Sequence, residues 1–239
     1  MKRRVFVSSS VYALAHQIGM QQAVDEVMRQ LDAPGRDSLP FVRTLVKLRN
    51  LDVELALHVD GGATYIGMAR SRAFHEAMKS GLPWISLDDD IEVTTDAAAA
   101  LVDAITGDES VARVVLVPYY TRDAASPALT VTLPIVRHER ECNGARFVTL
   151  PAGQGGGFGM VGINRLAMQR IHDHADPELT WFDYGERKLA LFYEKVEDGF
   201  WYGEDNSFFK FRVPYDVTVE ALLTGTVVHG GVPLKLSTL

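Results

Sequence analysis

The sequence has one cysteine, no long hydrophobic run and fewer basic than acidic side chains. A lone Cys142 forms neither an intrachain disulfide nor a cysteine-based zinc site, which fits a reducing compartment. No stretch approaches the roughly 20 apolar residues of a membrane helix. The apolar run 5–7 after the basic start is too short for a secretory signal. These absences predict a soluble, cytoplasmic protein without membrane insertion.

The charge balance narrows the choice of partners. The chain has 24 Lys and Arg against 31 Asp and Glu, a net charge of −7. Such a protein is not built to coat nucleic acid or an anionic membrane non-specifically. Its 239 residues, 47% hydrophobic and 23% charged, have an ordinary globular composition. We therefore predict a single domain over 1–239. Within it, the halves 1–120 and 121–239 are predicted to have different roles.

Strand and helix signals alternate through the first half. Short apolar runs typical of buried strands lie at 5–7, 53–59, 83–87 and 111–117. Between them lie amphipathic stretches, one of which ends at Gly81, whereas 39–50 is ambiguous. This alternation predicts an α/β fold, in which a mixed, mostly parallel, Rossmann-like central sheet is flanked by helices.

The second half is less regular. Strands are predicted at 129–136 and 146–150, and a glycine-rich loop over 154–163 leads into another strand. Asn164 is placed to cap the helix that follows. The stretch 177–201 has no clear period, and a short helix begins near Glu204.

The strongest chemical signal is an acidic triplet, Asp88, Asp89 and Asp90, directly after the buried strand 83–87. Ligands of open α/β sheets bind at the carboxyl ends of strands. Adjacent carboxylates repel one another, and Mg²⁺ or Mn²⁺ relieves this by taking carboxylate and then phosphate oxygens. The alternative is a solvated acidic turn that caps the next helix.

Three further motifs are ambiguous when each is taken alone. Glu204 and Asp205 either stabilise a helix N-terminus or provide a general base. The glycines of 155–159 either let a ligand approach the backbone or form a flexible turn. His229 follows an apolar run and is either a packed side chain or a ligand.

Taken in order, these motifs resemble those of the GT-A glycosyltransferases, which use nucleotide-sugar donors. The similar segments are Leu87-Asp88-Asp89-Asp90 (DxD motif), Gly155 to Gly159 (glycine loop), Gly203-Glu204-Asp205 (xED motif), His229 (C-terminal metal histidine) and Ala69-Arg70-Ser71 (Ala-Arg-Asn of many family-2 members). The sequence departs from the family in having Ser8-Ser9-Ser10 where Pro-x-Tyr/Phe-Asn is usual. It also lacks Gln-x-x-Arg-Trp, which argues against a processive polysaccharide synthase.

The resemblance implies a metal-dependent enzyme that moves a sugar from a nucleotide-diphosphate donor to an acceptor hydroxyl with inversion. It implies Mn²⁺ or Mg²⁺ on Asp90 and His229, with Asp88 at the ribose or a metal-bound water. It implies that the half 1–120 binds the nucleotide-sugar and the half 121–239 binds the acceptor. It implies a donor site that includes Ser8, Arg70, Asp88 and Asp89. It implies Asp205 as the base, with Glu204 as its rival. It implies an acceptor site that includes Gly155, Gly156, Gly157, Trp181 and Trp201.

Several alternatives stay open at this point. The chain could be a nucleotidyltransferase that makes a nucleotide-sugar, or a non-catalytic nucleotide- or carbohydrate-binding domain. An aromatic wall for the acceptor is a further hypothesis, built from Trp181, Phe182, Tyr184, Trp201 and Tyr202. The acceptor itself is a small glycoside, a lipid-linked sugar, a protein side chain or a modified DNA base. For DNA, a local basic patch would come from Arg137, His138, Arg140 and Arg146.

Overall fold

The structure, a computed structural model, describes residues 2–11, 14–15, 17, 19–35, 38–60, 65–121, 128–134, 138–183 and 185–239. The helices are α1 (Met20–Asp32), α2 (Pro40–Arg49), α3 (Ile66–Ser80), α4 (Thr95–Thr106), α5 (Arg165–His174) and α6 (Glu204–Phe211). The strands are β1 (Arg3–Ser10), β2 (Val53–Asp60), β3 (Trp84–Leu87), β4 (Ile91–Val93), β5 (Arg113–Leu116), β6 (Glu139–Cys142), β7 (Ala145–Thr149), β8 (Met160–Ile163), β9 (Thr180–Asp183), β10 (Glu186–Leu189), β11 (Lys195–Glu197), β12 (Phe200–Tyr202), β13 (Thr218–Leu222), β14 (Thr226–His229) and β15 (Val232–Lys235).

Within the described residues, eight strands form the central sheet in the order β2-β1-β3-β8-β5-β13-β7-β6. β1 is parallel to both of its neighbours, and β13 is parallel to β5. β8 runs antiparallel between β3 and β5, and β7 runs antiparallel between β13 and β6. Six of the eight strands therefore point the same way. The predicted fold class, a mixed and mostly parallel sheet flanked by helices, is confirmed.

The sheet is covered on both faces because its strands alternate their side chains. On β1, Val5 and Val7 belong to one core cluster, together with residues of α1, α2 and α4. Phe6 belongs to the other cluster, together with residues of α3, α5 and α6. The period of two that places neighbouring side chains on opposite faces accounts for this division. The helices α3 and α6, which carry Arg70 and Asp205, cover this second face.

A small second sheet brings a late part of the chain to the acidic triplet. Its order is β15-β14-β4, and β4 begins directly after Asp90. β14 pairs antiparallel with β4, which places His229 opposite Ile91. Sequence periodicity indicated neither β4 nor the β14–β15 hairpin, because each strand has only three or four residues.

The ambiguous and irregular stretches are now resolved. Residues 39–50 form α2, with Pro40 at its first turn. The stretch 177–201 contains the hairpins β9–β10 and β11–β12. The predicted strand over 129–136 is wrong for the described residues 128–134, where Leu129 and Val131 form isolated bridges. In the described part of the chain, no helix combines the length and hydrophobicity needed to cross a bilayer.

Candidate functional site

A small pocket, with a cavity volume of about 10 Å³, lies where β1, β2 and β3 end. These three strands are parallel neighbours, so their carboxyl ends meet at one edge of the sheet, where open α/β folds bind ligands. The lining includes Ser8, Ser10, His58, Asp60, Arg70 and Asp88. The predicted donor residues Ser8, Arg70 and Asp88 thus lie in one place. The Ser8 hydroxyl also accepts a hydrogen bond from the Trp84 indole at 2.8 Å.

Arg70 on α3 joins three carboxylates from distant parts of the sequence. Its Nη2 donates to both oxygens of Asp88 at 3.1 Å. Its Nη1 lies 3.3 Å from Glu204 Oε1 and donates to Asp205 Oδ1. Only 7% of the Arg70 side chain is exposed. Burial opposes its charge, but Asp205, Asp88 and Glu204 outweigh burial and raise the pKa of Arg70.

This arrangement corrects one step of the sequence argument. The acidic triplet predicts that a divalent cation relieves carboxylate repulsion, yet Asp88 is already paired with a guanidinium. Arg70 also holds Glu204 and Asp205, which were predicted as base candidates, beside Asp88. The geometry therefore links the predicted donor site on α3 and β3 to the start of α6.

Asp205 lies in the first turn of α6, and both of its oxygens are engaged. Oδ1 accepts from Arg70, and Oδ2 accepts from the Phe158 backbone N–H at 3.0 Å. Burial raises the pKa of Asp205 to about 6, although Arg70 opposes the shift, and Glu204 adds to it. A carboxyl whose pKa lies this close to neutral is well matched to accepting a proton from a hydroxyl.

If Asp205 is the base that the resemblance implies, its raised pKa makes the activity depend on pH. A base must be ionised before the reaction, so we expect kcat/KM to rise with pH through about 6 and to level off near pH 7. Stability should change in the opposite direction, because the folded state takes up the Asp205 proton more readily than the unfolded chain. Rate profiles between about pH 5 and pH 8 check this. A flat profile through pH 6 would contradict the role of Asp205.

His229 and Asp90 form a second pair at the same edge of the sheet. The His229 Nε2 atom lies 3.0 Å from Asp90 Oδ2. The other ring nitrogen, Nδ1, lies 2.8 Å from the Tyr120 carbonyl oxygen. The carbonyl and the carboxylate are both hydrogen-bond acceptors, and Nε2 lies within hydrogen-bond distance of Asp90. A cation bound between Nε2 and Asp90 would replace a proton on Nε2. The proximity expected of these two residues is therefore observed.

The distance between His229 Nε2 and Asp90 Oδ2 is that of a direct hydrogen bond and also that of two ligands of one divalent cation. Two ligand atoms, each about 2.1 Å from one ion and at right angles, would lie about 3.0 Å apart. Among the described residues, no group of three or more His, Cys, Asp or Glu side chains is arranged to hold a metal ion. Mg²⁺ typically binds one or two carboxylates plus substrate phosphates. The metal role of Asp90, His229 and Asp88 stays a prediction.

The acidic triplet is tied to its surroundings through its backbone. The Asp88 N–H donates to the Gly159 carbonyl at 2.7 Å, and the Asp89 carbonyl lies 3.5 Å from the Phe41 nitrogen on α2. The predicted donor residue Asp89 is thus in the turn between β3 and β4. These contacts place the turn against the glycine loop on one side and α2 on the other.

The glycine loop packs against the protein itself. A Cβ atom at Gly155 would overlap the Phe209 ring, and one at Gly157 would overlap the Tyr119 hydroxyl. At Gly156 it would overlap the carbonyl oxygen of Thr130. The sequence left open whether these glycines allow close approach to a ligand or form a flexible turn. In the structure they allow close approach of α6 and neighbouring segments. An acceptor role for Gly155, Gly156 and Gly157 stays a prediction.

The described residues of the predicted aromatic wall lie on two different hairpins, and the wall stays a prediction. Trp201 and Tyr202 line a groove beside Gly155. Trp181 instead lies on β9, with its ring centroid 6.1 Å from that of His75. Phe182, on the same strand, is 76% exposed. Tyr184 lies outside the described residues.

Sequence reasoning missed several residues of the site. His58 and Asp60 line the pocket from β2, and the Tyr119 ring lies 4.6 Å from that of His229. Asp60 ends a predicted strand, so the rule that ligands bind at carboxyl ends could have indicated it. Tyr119 and the Phe158 amide have no such signal, because they reach the site through tertiary packing.

Comparison with known proteins leaves the chemistry open. No family model matches the chain, and no curated protein matches it. Among solved structures, A197 from STIV is similar, with 16% identity over 95% of this chain and 85% of that one, and a TM-score of 0.48. The UTP-bound UGPase from Acinetobacter baumannii shares 11% identity over 100% of this chain and 92% of that one, with a TM-score of 0.44. At this level of similarity, neither assigns an activity to the present chain.

Proposed function

We propose that the protein is a glycosyltransferase that moves a sugar from a nucleotide-diphosphate donor to an acceptor hydroxyl, with a divalent metal. One observation carries the proposal. The Asp90–His229 pair and the cluster of Asp88, Arg70 and Asp205 lie together where three parallel strands end. This reaction needs ligands for a cation, a surface for the donor and a base, and these residues are candidates for each role.

The donor would bind between the first strands and the acidic turn. Its nucleoside would lie against the carboxyl ends of β1 and β3, over the small pocket lined by Ser8 and Arg70. Its diphosphate would face Asp88, Asp89 and Asp90. Asp90 and His229 would hold Mn²⁺ or Mg²⁺. When bound, such an ion neutralises charge that develops on the departing nucleoside diphosphate.

Asp205 would act on the acceptor. The proton of the acceptor hydroxyl passes to the Asp205 carboxylate, and the acceptor oxygen forms a bond to the anomeric carbon. The bond from that carbon to the diphosphate breaks, and its electron pair leaves on the phosphate oxygen. With the base on the face opposite the leaving group, the anomeric centre inverts. The hydrogen bond from the Phe158 N–H and the contact with Arg70 orient the carboxylate.

The metal requirement gives a direct test. A panel of nucleotide-sugars is screened by thermal shift with and without Mn²⁺. A ligand at 100 times its Kd stabilises by about 2.7 kcal/mol. We expect the wild type to show this shift only with metal, and Asp90→Ala and His229→Gln to lose it. His174→Gln, at an exposed histidine of α5, is the matched control. Metal-dependent binding by Asp90→Ala equal to that of the wild type would refute the assignment.

The main rival, a nucleotidyltransferase, is separated by its products. That reaction consumes a nucleoside triphosphate and a sugar phosphate and releases pyrophosphate. The proposed reaction consumes a nucleotide-sugar and releases a nucleoside diphosphate. Pyrophosphate released from a triphosphate, with no nucleoside diphosphate released from any nucleotide-sugar, would favour the rival.

A further inference from the structure

The central sheet has two outer strands, β2 and β6, and they differ in how readily each could accept a further strand. β2 is eight residues long and pairs with β1 in one unbroken parallel register. Among the described residues, no strand pairs with its other side. A strand that pairs on one side only turns the N–H and C=O groups of alternate residues outward, where they can bind another strand.

The edge formed by β6 is protected. β6 has only four residues, and three of them are charged, namely Glu139, Arg140 and Glu141. Arg140 donates to both carboxylate oxygens of Glu220 at 2.9 and 2.7 Å, and Arg146 of β7 pairs with Glu139 at 2.8 Å. Short edge strands and charged side chains are the usual protection against pairing between sheets.

The same ion pairs bear on the basic patch considered for DNA. Arg140 and Arg146 are paired within the chain, His138 directly precedes β6, and Arg137 lies outside the described residues. Phosphate contacts supply much of the affinity of DNA-binding proteins, and these two arginines already have carboxylate partners. They therefore offer little positive charge to a phosphate backbone.

β2 has none of the protections of β6. It contains no proline or lysine, its pairing with β1 has no bulge, and Glu54 is its only acidic or basic residue before the final Asp60. The five residues 55–59 are each only half-buried. On one face, Leu55 and Leu57 line an open groove of about 420 Å³ that they share with α1 and α2. A long apolar edge left open promotes aggregation, so it needs a partner strand.

The apolar face of β2 is complementary to itself. Val53, Leu55, Leu57 and Val59 alternate with other residues and therefore share one face of the strand. Two β2 strands can pair antiparallel about a two-fold axis at Ala56, so that each residue lies opposite the one equally far beyond Ala56. Leu55 then faces the second copy's Leu57, and Val53 faces its Val59. Such contacts between opposite side chains stabilise a sheet.

The polar face favours the same register. Glu54 lies opposite the second copy's His58, whose imidazole N–H can donate to the carboxylate, and the two-fold axis makes this contact twice. An axis one residue after Ala56 would place Glu54 opposite Asp60, and like charges directly opposite each other destabilise a sheet. An axis one residue before Ala56 would leave the end of β2 unpaired. Charge complementarity and strand length thus both select the axis at Ala56.

We infer that the protein forms a two-fold symmetric dimer through β2, in which the two central sheets join into one continuous sheet. The partner is a second copy of this chain, because the register that fits is a self-complementary one. Met28 of α1, which is exposed and lines the groove beside β2, adds apolar surface next to the junction. Because the two β2 strands run antiparallel, the two candidate sites lie at opposite ends of the joined sheet. Both sites therefore stay open to substrate.

The mass of the full chain in solution, measured by light scattering and sedimentation equilibrium, tests the association. We expect the wild type to have twice the chain mass at ~100 μM. Leu55→Lys places a lysine on the open edge, facing the second copy's Leu57, and should weaken dimerisation at least about tenfold. Glu141→Lys is the control. It places the same side chain on β6 at the opposite edge, where Glu141 is exposed, and should dimerise as the wild type does.

Disulfide cross-linking tests the register, in a Cys142→Ser background that removes the one native cysteine. Two residues at the two-fold axis lie directly opposite each other with Cβ atoms about 4.5–5.5 Å apart, close to the separation in a disulfide. Ala56→Cys should therefore give a covalent dimer on mild oxidation. Glu54→Cys is the matched control, because His58 and not a second Glu54 lies opposite it, and it should stay uncross-linked.

Three results would overturn the inference. The first is a wild type that is monomeric at ~100 μM. The second is a Leu55→Lys variant that associates as tightly as the wild type. The third is a dimer in which Ala56→Cys does not cross-link, or in which Glu54→Cys cross-links as readily. If Leu55→Lys loses its cooperative thermal transition and so fails to fold, the two cysteine variants decide the question alone.

Discussion

Asp205→Asn should transfer sugar at least ~10²-fold more slowly than the wild type while binding the donor nearly as well. Asparagine keeps the shape of the side chain and one acceptor oxygen, so the hydrogen bond from the Phe158 N–H can persist. It cannot take up the acceptor proton. Steady-state rates measure the loss, and thermal shift with donor and Mn²⁺ measures the retained binding.

Two comparisons sharpen this result. Glu204→Gln should have the smaller effect, because Asp205 holds both the Phe158 amide and Arg70, whereas Glu204 lies 3.3 Å from Arg70. A larger loss in Glu204→Gln would transfer the role of base to Glu204. The product gives an independent check, since a nucleotide-α-sugar should yield a β-linkage. A retained α-linkage together with an active Asp205→Asn enzyme would exclude the mechanism.

Arg70→Met should destabilise the fold by about 3 kcal/mol at neutral pH, as expected when one partner of a buried ion pair is removed. Methionine keeps most of the side-chain volume, but Asp88, Glu204 and Asp205 then face one another without the guanidinium. The loss should shrink near pH 5, because Asp205, whose pKa is raised to about 6, takes up a proton in the folded state. Urea denaturation at both pH values measures the difference.

The control for this prediction is Arg4→Met. Arg4 pairs with Glu54 at 3.1 Å, and more than half of each side chain is exposed. Exposed pairs contribute at most about 1 kcal/mol, so this variant should unfold close to the wild type. Equal losses in the two variants, or no dependence of the Arg70→Met loss on pH, would show that Arg70 is not the centre of the acidic cluster.

The local parts of the fold were accessible from the sequence. Gly81 ends α3 with a φ of 66°, as its position after an amphipathic stretch predicts. Asn164 caps α5 by accepting from the Ala167 N–H at 2.9 Å. The acidic triplet follows the buried strand β3, as expected. Each of these features depends on residues only a few positions apart.

The contacts that assemble the site were not accessible in the same way. Arg70 meets Glu204 and Asp205 across 134 and 135 residues of sequence. His229 lies next to Asp90 because β14 pairs with β4. Both strands are too short for sequence periodicity to predict them. The predicted aromatic wall illustrates the same difficulty. Trp181 and Trp201 lie on different hairpins, and composition does not say on which side of the protein each hairpin lies.

The position of β8 in the sheet bears on how the chain folds and how it can be cut. β3 and β5 both belong to the first half of the sequence, but β8, from the second half, lies between them. A fragment ending near residue 120 would therefore leave two strands with open edges, and open edges promote aggregation. Such long-range pairings also slow folding, because the chain loses the entropy of loop closure before the stabilising contacts form. A chimera that takes one half of the chain from a related protein would therefore need a β8 that pairs correctly with both β3 and β5.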